Sequence, residues 1–205
     1  MEPEGEDNAM KPKLAPCLLI VACALLAASG CIAQDNNKSA SSAPYGAGDL
    51  SVSMIPTKNL PEGFSLLATQ DASTKGVNMI DDISKFYGAK DIGPAKAVIG
   101  IYQWAPMGQG FDSKVTIISL KDASHAQAAI DNYKAQPRFQ QPPYKGISRF
   151  GSAIINGHNS TEIRDSARQN SLRFLYLWNH ENIVVLVDGN NDRSKSIELA
   201  SATGL

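Results

Sequence analysis

An α+β fold is expected: a mainly antiparallel sheet of about six strands with two longer helices packed on one face. Three observations predict it. Short β-branched and aromatic runs recur after residue 61. An Asn-Gly pair, Asn156-Gly157, separates two of them as a tight hairpin turn would. Only two stretches carry apolar residues in a longer helical pattern, one after Asp122 and one after Asp192.

In chain order, residues 62–69 read as a strand. Residues 81–88 read as a short helix, with Asp81 near its start and Gly88 as its stop. Residues 95–104 and 114–120 are strands rich in β-branched and aromatic side chains. Asp122 caps the next helix, in which Ala126, Ala129, Ile130 and Tyr133 share one face. Three prolines between Gln136 and Tyr144 force a loop. Residues 151–155 and 159–165 form the Asn-Gly hairpin, and residues 172–178 and 183–187 form a second one. The unbroken apolar run Ile183–Val187 marks a central strand covered on both sides. The last helix starts near Asp192 and carries Ile197 and Ala200. Tyr102-x-Trp104 and Tyr176-x-Trp178 each precede a turn, an apolar strand and a helix, an internal echo consistent with duplication.

Upstream of residue 61 the composition changes. Lys11 and Lys13 precede an uncharged stretch, Leu14 to Ser29, that ends in Gly30-Cys31. Basic flank, apolar core and small residues are the layout of an export signal. Ala28-Ser29-Gly30-Cys31 resembles the lipobox of prokaryotic lipoprotein signal peptides, with Ala28 where that pattern usually has leucine. The resemblance covers residues 11–31 only. It implies cleavage before Cys31, a lipid on that cysteine and an extracytoplasmic protein held on the cell membrane. Two other readings of the segment are cleavage after Ala33, which gives a secreted chain, and an uncleaved anchor over residues 14–33. The acidic residues Glu2, Glu4, Glu6 and Asp7 do not suit a basic leader, so translation is expected to start at Met10. Residues 1–30 are thus the expected signal, 31–60 a flexible Ser/Ala/Asn/Gly/Pro-rich tether, and 61–205 one globular domain.

The charge balance excludes several partners. Of 19 basic and 20 acidic residues, two and four precede Cys31, leaving 17 and 16. A near-neutral domain lacks the basic stripe that nucleic acid requires and the polybasic cluster of a membrane clamp. Cys17 and Cys23 lie inside the signal, so no disulfide partner for Cys31 remains within the mature chain. A hydrophobic core must hold the domain together.

No strong catalytic motif stands out. His125, His158 and His180 are scattered and read as surface residues. His158 and Glu162 would lie about 13 Å apart on one strand, too far to share a metal. No G-x-S-x-G elbow occurs. Asp188, Asn190 and Asp192 alternate like the first ligands of a calcium loop, but Arg193 and Leu199 stand where that loop needs Gly and Glu. A capped strand-to-helix turn explains them better. Trp104, Met107 and Phe111 form an aromatic loop that, with Phe139 and Tyr144, would make an apolar contact surface for a ligand or partner. Asn37 and Asn159 match the N-glycosylation pattern. No cofactor is expected. These features lead to a membrane-anchored, non-catalytic binding or interaction module. The alternatives are a small-ligand carrier with a pocket between sheet and helices, and a hydrolase with a dispersed triad.

Overall fold

The structure, a computed structural model, describes residues 50–76, 78–105 and 111–205. Its strands are β1 (Phe64–Gln70), β2 (Lys96–Trp104), β3 (Phe111–Ser119), β4 (Phe150–Ile155), β5 (His158–Ser166), β6 (Leu172–His180) and β7 (Ile183–Asp188). Its helices are α1 (Ile80–Ser84), α2 (Ala123–Lys134) and α3 (Arg193–Ser201). The seven strands form one sheet in the order β1-β2-β3-β7-β6-β5-β4, and every pairing is antiparallel. After β3 the chain crosses with α2 to the far edge and returns through β4, β5 and β6. That return places β7 beside β3 at the centre.

Local chemistry sets the element ends. Asp122 accepts the His125 amide at 3.0 Å and caps α2. Asp192 accepts the Lys195 amide at 3.0 Å and caps α3. Each satisfies one of the amides that a helix start leaves open. Asn156 and Gly157 have φ of 50° and 86°, the signs that a tight I′ hairpin turn requires.

The central strands are apolar on both faces, and alternation divides them between two cores. Leu175, Leu177, Val184 and Leu186 pack with Ala126, Ala129, Ile130 and Tyr133 of α2. Tyr176, Trp178, Val185 and Val187 pack with Leu199 and Ala200 of α3. The two longer helices therefore cover opposite faces, which corrects the expectation that both lie on one. Two helices on one face would leave the second apolar face of β6 and β7 to water. Each side chain so exposed costs roughly 1.5–3 kcal/mol. The same arrangement tells against a duplicated unit. α3 packs with Tyr176 and Trp178, whereas Tyr102 and Trp104 lie on the face away from α2.

The α3 side of β2 and β3 is covered by a segment upstream of β1. Ile55 is 2% exposed and Tyr102 Oη donates to the Pro56 carbonyl at 2.8 Å. Gly100 makes the room, since a Cβ there would meet Ile55 Cγ2 at 2.5 Å. Packed structure thus begins upstream of residue 61, inside the stretch that composition assigns to the tether. A polar, Pro-containing segment still carries five apolar anchors, Leu50, Val52, Met54, Ile55 and Leu60.

Candidate functional site

α1 is a single turn and a half, yet it separates two recesses. Its Asp82 carries the charged side. β3 and β7 bring Lys114 and Asp188 opposite each other in register. By strand alternation both lie on the α2 side of the sheet. Lys114 Nζ donates to Asp82 at 2.9 and 3.0 Å, and Lys85 Nζ reaches the same Oδ1 at 2.9 Å. On β6, Arg173 Nε lies 2.6 Å from Asp188 Oδ1, a charge contact rather than a straight hydrogen bond. The turn after α2 (Pro137–Phe139) adds Arg138, whose guanidinium stacks 4.4 Å above the Phe139 ring and donates to Tyr133 Oη at 3.1 Å.

Electrostatics differ between the two carboxylates. Burial raises Asp82, but hydrogen bonds from Lys114 and Lys85 outweigh it and hold the group below its ordinary value. Burial dominates at Asp188 and raises it, although Arg173, Lys85, Arg138 and Lys114 all oppose the shift. Asp188 is densely surrounded, yet 35% of its side chain stays accessible. With Oδ1 sealed against Arg173, the open part of Asp188 is read as the floor of a charged recess. Asp165 belongs to the wall. Arg149, 8% exposed, holds it at 2.7 Å and gives its other donors to the Gln141, Arg164 and Arg138 carbonyls.

On its other flank α1 borders an apolar recess of about 580 Å³. β1 pairs with β2 only as far as Ile99, so Lys96–Val98 run on beyond it. Met79, Ile80 and Ile83 of the α1 region line this gap together with Ala97, Val98 and Leu50. Asp71, Ser73 and Asn78 supply polar groups at its margin. Ile80 is 70% exposed.

Another polar cluster centres on a fully buried acid. Glu162 on β5 is 0% exposed. Its Oε1 accepts from Arg164 Nε at 2.9 Å, and its Oε2 from Arg193 Nε at 2.7 Å and Tyr176 Oη at 3.1 Å. These bonds fasten the first residue of α3 to the sheet, which is a structural task.

Among the described residues singled out by sequence, Trp104 and Phe139 lie in separate cores rather than in one groove. Trp104 is buried on the α3 side against Phe64, with ring centroids 6.3 Å apart. Phe139 is buried on the α2 side between Tyr133 and Phe150. Tyr144 donates its hydroxyl to the Ser171 carbonyl at 2.9 Å. Met107 lies outside the described residues, and Phe111 is the first residue of β3. Trp104 and Phe139 fill two separate cores, and sequence adjacency to a loop hid that.

Asp188, Asn190 and Asp192 each face a protein donor. Asp188 meets Arg173, Asn190 Oδ1 accepts the Asp192 amide at 2.8 Å, and Asp192 caps α3. Among the described residues no group of three His, Cys, Asp or Glu side chains is placed to hold a metal. His125 Nδ1 lies 2.7 Å from Asp122, its own helix cap. His158 and His180, scattered in sequence, meet on β5 and β6 with ring centroids 4.9 Å apart. Asn159 is exposed on β5, while Cys31 and Asn37 lie outside the described residues. Among the described residues no helix is long and apolar enough to cross a membrane.

No family model, no curated protein and no solved structure matches the chain.

Proposed function

We propose that this chain is an extracytoplasmic binding module, tethered to the cell membrane through a lipid on Cys31, that holds a small apolar ligand beside α1. The observation that carries this reading is the recess of about 580 Å³ between α1 and the overhanging end of β2. Ligand sites are commonly concave, mainly apolar and edged by a few polar groups, with volumes of about 300–1,000 Å³. The lining has that character. Ile80 offers an apolar contact that the core does not need, since most of its surface is already exposed. The export signal resembling a lipobox supports the location, and the long polar stretch after Cys31 suits a tether.

Native mass spectrometry of the full chain, extracted in mild detergent, tests the site. The expected result is a ligand adduct that is reduced in Ile80→Glu, a surface change that leaves the fold intact. Ligand-free masses throughout, together with no displaceable binding of an apolar fluorescent probe, would remove the proposal. The anchor is tested separately: Cys31→Ser should remain unprocessed and unlipidated.

A further inference from the structure

We propose that the charged recess floored by Asp188 is a second binding site, and that it takes a phosphate group. The first argument is the charge count. Asp165 is engaged by Arg149, which leaves Lys85, Lys114, Arg138 and Arg173 facing two carboxylates, Asp82 and Asp188. The pairing is unequal in geometry as well. Two ammonium groups share one carboxylate, Asp82: both reach Oδ1 at 2.9 Å, and Lys114 also reaches Oδ2 at 3.0 Å. Arg138 has its nearest carboxylate, Asp165, at 3.9 Å. A self-neutralised network would give each cation its own acid. Asp112, on the same face of β3 as Lys114, adds a third acid, and the cations still outnumber the carboxylates, a deficit that the negative charge of a phosphate monoester would fill.

The second argument is access and rigidity. The four cationic side chains keep 33–47% of their surface open, although Arg173 Nε itself is sealed against Asp188. They come from the end of α1, β3, the turn after α2, and β6, and so approach Asp188 from several elements. Arg138 is fixed by stacking on Phe139 and by Tyr133 Oη. Arg173 also donates Nη2 to the Asp112 carbonyl at 2.6 Å. Guanidinium forks held in this way suit the oxygens of phosphate, and the lysines add point charge. Asp188 works against an anion, and its carboxylate sets the strength of the site.

The test is a titration of the full chain, in neutral detergent at low salt, with inorganic phosphate followed by calorimetry. Saturable binding that chloride does not match is expected. Arg138→Gln and Lys85→Gln, both on partly open side chains, should each weaken binding about tenfold, one lost charge-assisted contact being of that order. Asp188→Asn should tighten it by a similar factor, a change that a purely structural network would not produce. Dihexanoyl phosphatidic acid competing better than glycerol phosphate would assign the site to a lipid headgroup, and equal competition to a soluble phosphate. Absence of saturable phosphate binding by the folded protein, unchanged affinity in both cation variants, or weaker binding by Asp188→Asn would overturn the proposal.

Discussion

Asp82 and Asp188 border the same recess under opposite influences. Asp82 is held below its ordinary value, so it adds stability above its unfolded pKa, near ~4, that is lost as pH falls through the folded value. Asp188 is raised, chiefly by burial, so the stability linked to it is present below its unfolded value and is lost as pH rises through the folded one. Replacing Asp188 by Asn removes that second loss. Urea midpoints for Asp188→Asn are therefore expected to exceed wild type at pH 7 and to converge with it near pH 4; a deficit at pH 7 would refute the assignment. Glu162 is the contrasting case. It is fully buried with Arg164, Arg193 and Tyr176 as partners, and removing one member of such a set costs about 3 kcal/mol or more. Glu162→Gln should show a loss of that size in chemical denaturation, and a change below about 1 kcal/mol would mean the cluster contributes little. The two caps, Asp122 and Asp192, were legible in the sequence because a cap is a local relation. The recess was not. Its cations stand at positions 85, 114, 138 and 173; the register of β3, β7 and β6 brings Lys114 and Arg173 to Asp188, and the packing of α1 and of the turn after α2 adds Lys85 and Arg138.

Between residue and molecule lie the helices and hairpins, and their patterns were readable to different degrees. α2 was predicted from four apolar positions, and all four are buried. Its cap makes a quantitative expectation: Asp122→Ala should lower stability by about 1 kcal/mol. The same substitution frees His125 from its 2.7 Å contact, so the His125 resonance should shift in NMR at neutral pH. An unchanged midpoint would show that packing alone holds the helix start. The Asn156-Gly157 turn was equally plain, because positive φ at both positions favours those residues. Which face each helix covers was not plain. Periodicity gives the apolar side of a helix but not the side of the sheet it meets. The run Ile183–Val187 held the relevant information, since a strand apolar on both sides needs a cover on each.

At the scale of the molecule, the segment upstream of β1 matters more than its composition suggested. It is polar enough to pass for linker, yet it closes one of the two cores. Ile55 sits in the space left by Gly100, and Tyr102 bonds to Pro56 across it. Truncating a buried isoleucine typically costs 2–5 kcal/mol, so Ile55→Ala should lower the unfolding free energy by about 3 kcal/mol. Leu50, at the start of the same segment, lines the apolar recess beside α1. Core and recess are therefore coupled through one stretch of chain. A protein beginning at residue 61 should lose cooperative unfolding and the apolar ligand together, whereas one beginning at residue 50 should keep both. Thermal unfolding monitored by near-ultraviolet circular dichroism, run beside native mass spectrometry, separates these outcomes. If the shorter chain still folds cooperatively and holds ligand, residues 50–60 are tether after all. If it folds but releases ligand, Leu50 contributes to the recess more than Ile55 contributes to the core, because a cover that only seals the α3 side has no contact with the gap between α1 and β2.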